Sequence, residues 1–290
     1  MRVLLTLVLF ISSVLIPTSL CVSFSYNQQN LWTGVCNAGN TGRQSPINIV
    51  LADVVQSPSL TPLVFNSEWD STNTVGTFSN TGHNIQYDLN STSPDITTVT
   101  PIGTYKFLQF HMHWGNQTGV GSEHLINGEQ SEVEIHFVHQ KVGASTAGNM
   151  FGVVGVFADV GDIPMTGIWQ QLNASNVPAV DDVILSDGIR FTDLLPSNRD
   201  YYYYEGGLTT PPCTEAVQFF LLKNRITVPS AYLARLRSID QNDGPGAINY
   251  RDIQSLNGRV VMGSGSNMVY ASCISVLLFA VLSLQLVFFV

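Results

Sequence analysis

The chain has 290 residues, 44% of them hydrophobic and only 11% charged, with a formal net charge of −9 and a pI near 4.9. That length suits one large β-domain or two small ones. The acidic balance, with no Lys/Arg cluster to neutralise phosphates, excludes nucleic acid as a partner.

The N-terminus reads as a signal peptide over residues 1–23. Arg2 precedes an apolar run at 3–16, and small and polar residues follow it. The run is short for a membrane span, so cleavage after Cys21 or Ser23 is expected over an uncleaved anchor. Residues 24–262 hold no linker, repeat or low-complexity block and read as one domain. Short β-rich runs recur there, at 106–114, 131–139, 151–157 and 216–222, punctuated by Gly, Pro, Asn and Asp. Short helices are expected at 168–172 and 230–238, the second with Ser230 as N-cap after Pro229. The domain is therefore β-dominated.

Residues 263–290 read as an anchoring signal. Gly263, Ser264, Gly265 and Ser266 are small, a short spacer follows, and an apolar run at 274–290 has no basic residue after it. That is the layout of a glycolipid-anchor (GPI) signal, with Ser264 or Gly263 as attachment residue; a retained transmembrane helix would usually keep a basic cytoplasmic flank. The membrane is thus an expected partner through this C-terminal anchor, and the outer cell surface the expected location. Of four cysteines, Cys21 lies in the leader region and Cys273 in the tail. With both removed or lipid-embedded, Cys36 and Cys213 remain as one pair for an oxidising compartment, against the alternative of two free buried thiols. Glycosylation sequons begin at Asn90, Asn116 and Asn173.

Two strand-like runs carry the chemistry. In the first, Gln109, His111 and His113 alternate with apolar residues and so share one face. In the second, Glu134, His136 and Val138 share a face. If the two strands are near neighbours, His136 supplies a third imidazole to the pair His111 and His113. Three imidazoles with one open position make a catalytic zinc site rather than a structural one, and zinc suits nitrogen ligands. Gln109 and Glu134 stand where acceptors are needed to fix ligand tautomers. A His-x-His strand alone is equally read as an exposed polar face.

Further landmarks decide between these. Gln44-Ser45-Pro46-Ile47-Asn48-Ile49, Gly82-His83, Gln109-Phe110-His111-Met112-His113-Trp114-Gly115, Gly121-Ser122-Glu123-His124, Glu134-Ile135-His136-Phe137-Val138-His139, Leu208-Thr209-Thr210-Pro211-Pro212-Cys213 and Asn249-x-Arg251-x-x-Gln254-x-Leu256 are present. With them, residues 24–262 resemble the α-class carbonic anhydrases, of the extracellular or membrane-anchored type. The resemblance implies a mainly β (α+β) single domain around a large twisted, mostly antiparallel central sheet. It implies Zn2+ on His111, His113 and His136, and reversible hydration of carbon dioxide to bicarbonate and a proton by zinc-bound hydroxide.

Roles follow residue by residue from the same resemblance. Thr209 would aim the hydroxide, Glu123 would accept from Thr209, and His83 would relay protons. Tyr26 would join the water network, although the segment from Tyr26 to Trp32 is shorter than usual. Val138, Val153, Leu208 and Val217 would form the apolar wall for carbon dioxide, and Thr210 would be a substrate contact. Cys36 and Cys213 match the disulfide of extracellular members. His124 and His139 are expected in structural hydrogen bonds. Phe219 replaces a usual Trp, and Gln86 a frequent Asn. A surface recognition module with little turnover is the alternative; the intact set His111, His113, His136, Thr209 and Glu123 speaks against it.

Overall fold

The computed structural model describes residues 24–37, 42–144 and 150–265. The signal-peptide region, Cys21, Cys273 and the apolar run at 274–290 lie outside the described residues. Among the described residues there are fourteen strands. The first seven are β1 (Asn48–Ile49), β2 (Val55–Gln56), β3 (Val64–Phe65), β4 (Gly76–Asn80), β5 (Ile85–Leu89), β6 (Thr97–Thr100) and β7 (Gly103–Trp114). The others are β8 (Leu125–Ile126), β9 (Val133–Lys141), β10 (Phe151–Gly161), β11 (Val183–Leu185), β12 (Tyr201–Gly206), β13 (Val217–Pro229) and β14 (Met262–Gly263). Two short helices accompany them, α1 (Ile168–Gln171) and α2 (Ser230–Leu236).

Twelve strands form one sheet in the order β11-β4-β5-β7-β9-β10-β13-β12-β14-β2, with β3 and β6 attached through β7. Most pairs are antiparallel, as expected. The exceptions are β10 with β13 and β14 with β2, which run parallel, so the sheet is mixed. A parallel pair needs a long crossover. The chain between β10 and β13 supplies one that contains α1, β11 and β12.

Alternation along the central strands sorts side chains to two faces. Ile135 and Phe137 of β9, Val154 and Val156 of β10, and Phe220 and Leu222 of β13 join one large core with Trp69, Tyr87 and Phe191. Val153 of β10 and Val217, Phe219 and Leu221 of β13 join a second cluster on the opposite face with Ile47 and Tyr204. The first cluster holds the fold together; the second borders the site.

Two boundaries differ from expectation. Strand β13 continues past Leu222 through the polar run Lys223, Asn224 and Arg225, because backbone pairing with β10 resumes at Ala158↔Ile226 after a register shift. Hydrophobic alternation ends there, but the ladder does not. Helix α2 starts with Ser230 as its first helical residue; Pro229 occupies the N-cap and offers no side-chain cap.

Candidate metal centre

Strands β7 and β9 pair antiparallel with His111 opposite His136, Gln109 opposite Val138 and His113 opposite Glu134. This register brings together the two faces expected from period-two alternation. One nitrogen of each of His111, His113 and His136 falls within 4.8 Å of the others. His113 and His136 are buried; His111 is half-buried.

The opposite nitrogen of each ring is occupied. His111 Nδ1 lies 2.9 Å from Gln109 Oε1, His113 Nδ1 lies 2.7 Å from the Asn249 carbonyl, and His136 Nε2 lies 2.6 Å from Glu134 Oε1. All three partners are acceptors, so these nitrogens carry the ring hydrogens. In neutral rings the facing nitrogens then hold lone pairs only. His113 Nε2 and His136 Nδ1 nevertheless approach to 3.2 Å. Two lone pairs at that distance repel one another, and a cation between them removes the conflict. Three imidazole nitrogens with oriented tautomers fit a divalent metal that prefers nitrogen.

Charge divides the three rings: burial lowers His111 and His113, whereas at His136 burial is outweighed by the Glu134 carboxylate, which raises the pKa. Burial lowers the pKa of His111 strongly, and the neighbouring His113 and His136 lower it further. Burial also lowers His113. Burial alone would raise Glu134, but His124 and His136 hold it well below the usual carboxylate range. Glu134 serves two rings at once: Oε1 lies 2.8 Å from His124 Nδ1, while Oε2 accepts from the His124 backbone N–H at 2.9 Å. His124 Nε2 is in turn 2.6 Å from Tyr204 Oη.

Glu123 is fully buried. Its Oε1 accepts from the Arg251 backbone N–H at 3.0 Å. Its Oε2 stands 3.4 Å from His113 Nε2 and has no hydrogen-bond partner. The Thr209–Glu123 bond that the resemblance implies is therefore not formed here, although Thr209 is also buried. Tyr26 is buried too, with Oη unpartnered and its pKa raised well above 10, by burial first and then by Glu123 and Asp243.

Val153 and Val217 lie in the second apolar cluster, with half-buried Val138 and Leu208 packed against it. Phe219 stacks on Tyr204 at 5.0 Å and stands 6.0 Å from the His136 ring, so an aromatic pair lies beside the histidine cluster. Gln86 pairs across strands with His111 and donates to Asp88 Oδ1 at 2.8 Å. Thr210, half-buried, offers its carbonyl to the Cys213 N–H at 2.8 Å. Cys36 and Cys213 form a disulfide with Cα atoms 5.0 Å apart, tying the N-terminal segment to this turn. His83 lies between β4 and β5, half-buried, with its ring 6.3 Å from that of Tyr26.

A profile for eukaryotic-type carbonic anhydrases matches residues 27–265. The chain belongs to that family. It is 34% identical to human carbonic anhydrase 7 over 251 residues, 77% of this chain and 88% of that protein. It is 32% identical to mouse carbonic anhydrase 3, covering 83% and 96%. Mouse carbonic anhydrase 6 is also similar, at 32% identity, covering 78% and 74%.

Within this carbonic anhydrase fold, two partners of the site escaped sequence reasoning. The Asn249 backbone carbonyl orients His113 from 136 residues away, and the Asn249 side-chain Oδ1 accepts from the Trp114 N–H at 2.6 Å. Arg251 fixes Glu123 through its backbone, while its guanidinium donates to the Ser45 and Cys36 carbonyls, each at 2.7 Å. Backbone atoms carry no residue signature, so only the Asn249-x-Arg251 motif could have drawn attention to them. Of the sequon residues, Asn90 and Asn116 are exposed; Asn173 is half-buried and accepts from the Ser175 N–H.

Proposed function

We propose that this protein hydrates carbon dioxide reversibly to bicarbonate and a proton, with zinc held by His111 Nε2, His113 Nε2 and His136 Nδ1. The observation that carries the reading is the convergence of one nitrogen from each of the three rings within 4.8 Å, while His111 Nδ1, His113 Nδ1 and His136 Nε2 are each engaged by an acceptor. Bound there, zinc acts as a Lewis acid that makes water nucleophilic near neutral pH. Gln109, the Asn249 carbonyl and Glu134 keep the three lone pairs aimed together. Thr209, buried like Glu123, would donate to the free Glu123 Oε2 once the centre is loaded and so orient the attacking oxygen. Val138, Val153, Leu208 and Val217 hold carbon dioxide without competing hydrogen bonds, and Thr210 contacts the bound substrate. Tyr26 Oη orders water between the centre and His83. His83 then takes the proton released by the hydration and passes it to buffer, a task suited to an imidazole. His111→Ala should abolish zinc binding and hydration together, as read by metal analysis and stopped-flow assay. Stoichiometric zinc with full activity in this variant would refute the ligand set.

We also infer passage through the secretory pathway and a lipid anchor on the outer cell surface. The Cys36–Cys213 disulfide and the sequence features of 1–23 and 263–290 support this reading. The attachment residue is read as Ser264 or Gly263, at the end of the described fold, where Gly263 pairs with β2 and β12 and Ser264 Oγ accepts from the Tyr201 N–H at 2.8 Å. Release of active enzyme from intact cells by a phosphatidylinositol-specific phospholipase is expected. Activity retained on the cells, with tail peptides recovered by mass spectrometry, would contradict the anchor.

A further inference from the structure

His83 is held by residues that the metal centre does not use. Phe24 stacks on its ring with centroids 3.9 Å apart and planes inclined by 11°. Asn242 Nδ2 lies 3.2 Å from His83 Nε2. An amide NH2 only donates, so Nε2 is the acceptor and the neutral ring carries its hydrogen on Nδ1. The backbone beneath Asn242 is fixed independently. Its N–H donates to the Gly82 carbonyl at 2.8 Å, and Asn80 Nδ2 donates to the Asp240 carbonyl at 2.9 Å.

Gly82 makes the approach possible. At its φ of +79° a Cβ would stand 2.6 Å from Asn242 Nδ2 and 2.8 Å from Cγ, and would evict the amide. The next residue, Asp243, accepts from the Tyr26 N–H through Oδ2 at 2.7 Å, and the Tyr26 ring stands 6.3 Å from that of His83. Burial lowers the His83 pKa, and the Asp243 carboxylate pulls it back up. A surface hollow of about 440 Å³, lined by Phe24, Trp32, Pro211, Asn242 and Asp243 among others, opens next to them.

We propose that Asn242 and Asp243 are paired positioning residues for His83: the Asn242 amide holds the neutral ring against Phe24 by donating to Nε2, and the fixed Asp243 carboxylate supports the ring once Nε2 has taken a proton. This rests on the reading of His83 as a proton relay. The proton arriving at Nε2 displaces the Asn242 donor and later leaves to a buffer base, so no other bond forms or breaks. Among the described residues, the charged or titratable groups facing the ring are Asp243, from the loop after α2, and Tyr26, from the N-terminal 3₁₀ turn. Asn249 also touches His83, donating from Nδ2 to its carbonyl at 3.1 Å, and is neutral.

The two residues favour opposite protonation states, so removing them should have opposite effects. In the zinc-loaded protein, an NMR titration of the His83 ring protons should show the pKa raised by Asn242→Ala and lowered by Asp243→Asn, which keeps an acceptor for the Tyr26 N–H. In dilute buffer, kcat for hydration should change by at least about twofold in both variants while kcat/KM stays within about twofold, and imidazole buffer should erase the difference. Shifts of one sign, no shift, or an unchanged kcat in dilute buffer would overturn the pairing. A wild-type protein without hydration activity would instead sink the relay reading, and the NMR titration would still decide whether the two residues act on the ring.

Discussion

At the scale of single residues, the histidine cluster was legible because a strand alternates strictly. Gln109, His111 and His113 had to share a face, as did Glu134 and His136, and the structure pairs the two faces directly. Nothing in the residue pattern gave Asn249 its part, since the acceptor it offers His113 is a peptide carbonyl. The bond the resemblance assigned between Thr209 and Glu123 is likewise absent, and Oε2 of Glu123 faces the cluster instead. Glu134 joins both lessons. It was picked out as the partner of His136, but it also binds His124 through the ring and the backbone N–H. A neutral amide at this position would keep the shape and lose the negative charge that balances two imidazoles. We therefore expect Glu134→Gln to weaken zinc affinity by about 10–100-fold, in line with losses from such outer partners. Competition with a chromophoric chelator measures this, and an unchanged affinity would show that the carboxylate does not tune the centre.

At the scale of elements, a buried histidine stitches the sheet. His139 of β9 donates through Nδ1 to the Phe137 carbonyl at 2.8 Å and faces the Gly152 carbonyl of β10 at 3.3 Å, while Nε2 lies 3.2 Å from Thr98 Oγ1 of β6. Burial depresses its pKa to about 4, with the two carbonyls opposing that only in part. An unfolded histidine titrates near ~6.5. The folded pKa is the lower one, so the unfolded chain binds the proton first. The contribution of His139 to stability is therefore complete above pH ~6.5 and is lost as pH falls towards 4, to the extent of about 3 kcal/mol. Denaturant unfolding between pH 7.5 and 4.5 should show this decline, and it should be shallower in a folded His139→Gln variant. Equal slopes in the two proteins would remove His139 from the account. Sequence reading marked His139 only as a structural hydrogen-bonding residue; its partners on β6 and β10 depend on strand neighbours that no local pattern specifies.

At the scale of the whole molecule, the β-dominated architecture was legible from short runs and turn residues, and the central strands lie where alternation placed them. The strand order was not. The parallel pairing of β10 with β13 arises from a long crossover, and it stacks Val153 beside Phe219 on the face that borders the histidines. That pairing joins the apolar wall to the ligand-bearing strand, because β10 also pairs with β9 and sets Gly155 opposite His136. Gly155 has no side chain for a reason: a Cβ there would meet Leu221 Cδ2 at 2.4 Å and come within 3.7 Å of the His136 ring. The sheet thus sets a histidine cluster and a buried apolar cluster side by side, and the disulfide from Cys36 to Cys213 secures the turn that follows Thr209 and Thr210. The most direct measurement is stopped-flow carbon dioxide hydration on the purified protein as zinc is stripped by a chelator and then restored in known amounts. Activity should fall with the metal and return in proportion to zinc, saturating at one ion per chain. Hydration that survives complete removal of zinc, or that stays absent with one zinc bound to His111, His113 and His136, would contradict the proposed centre.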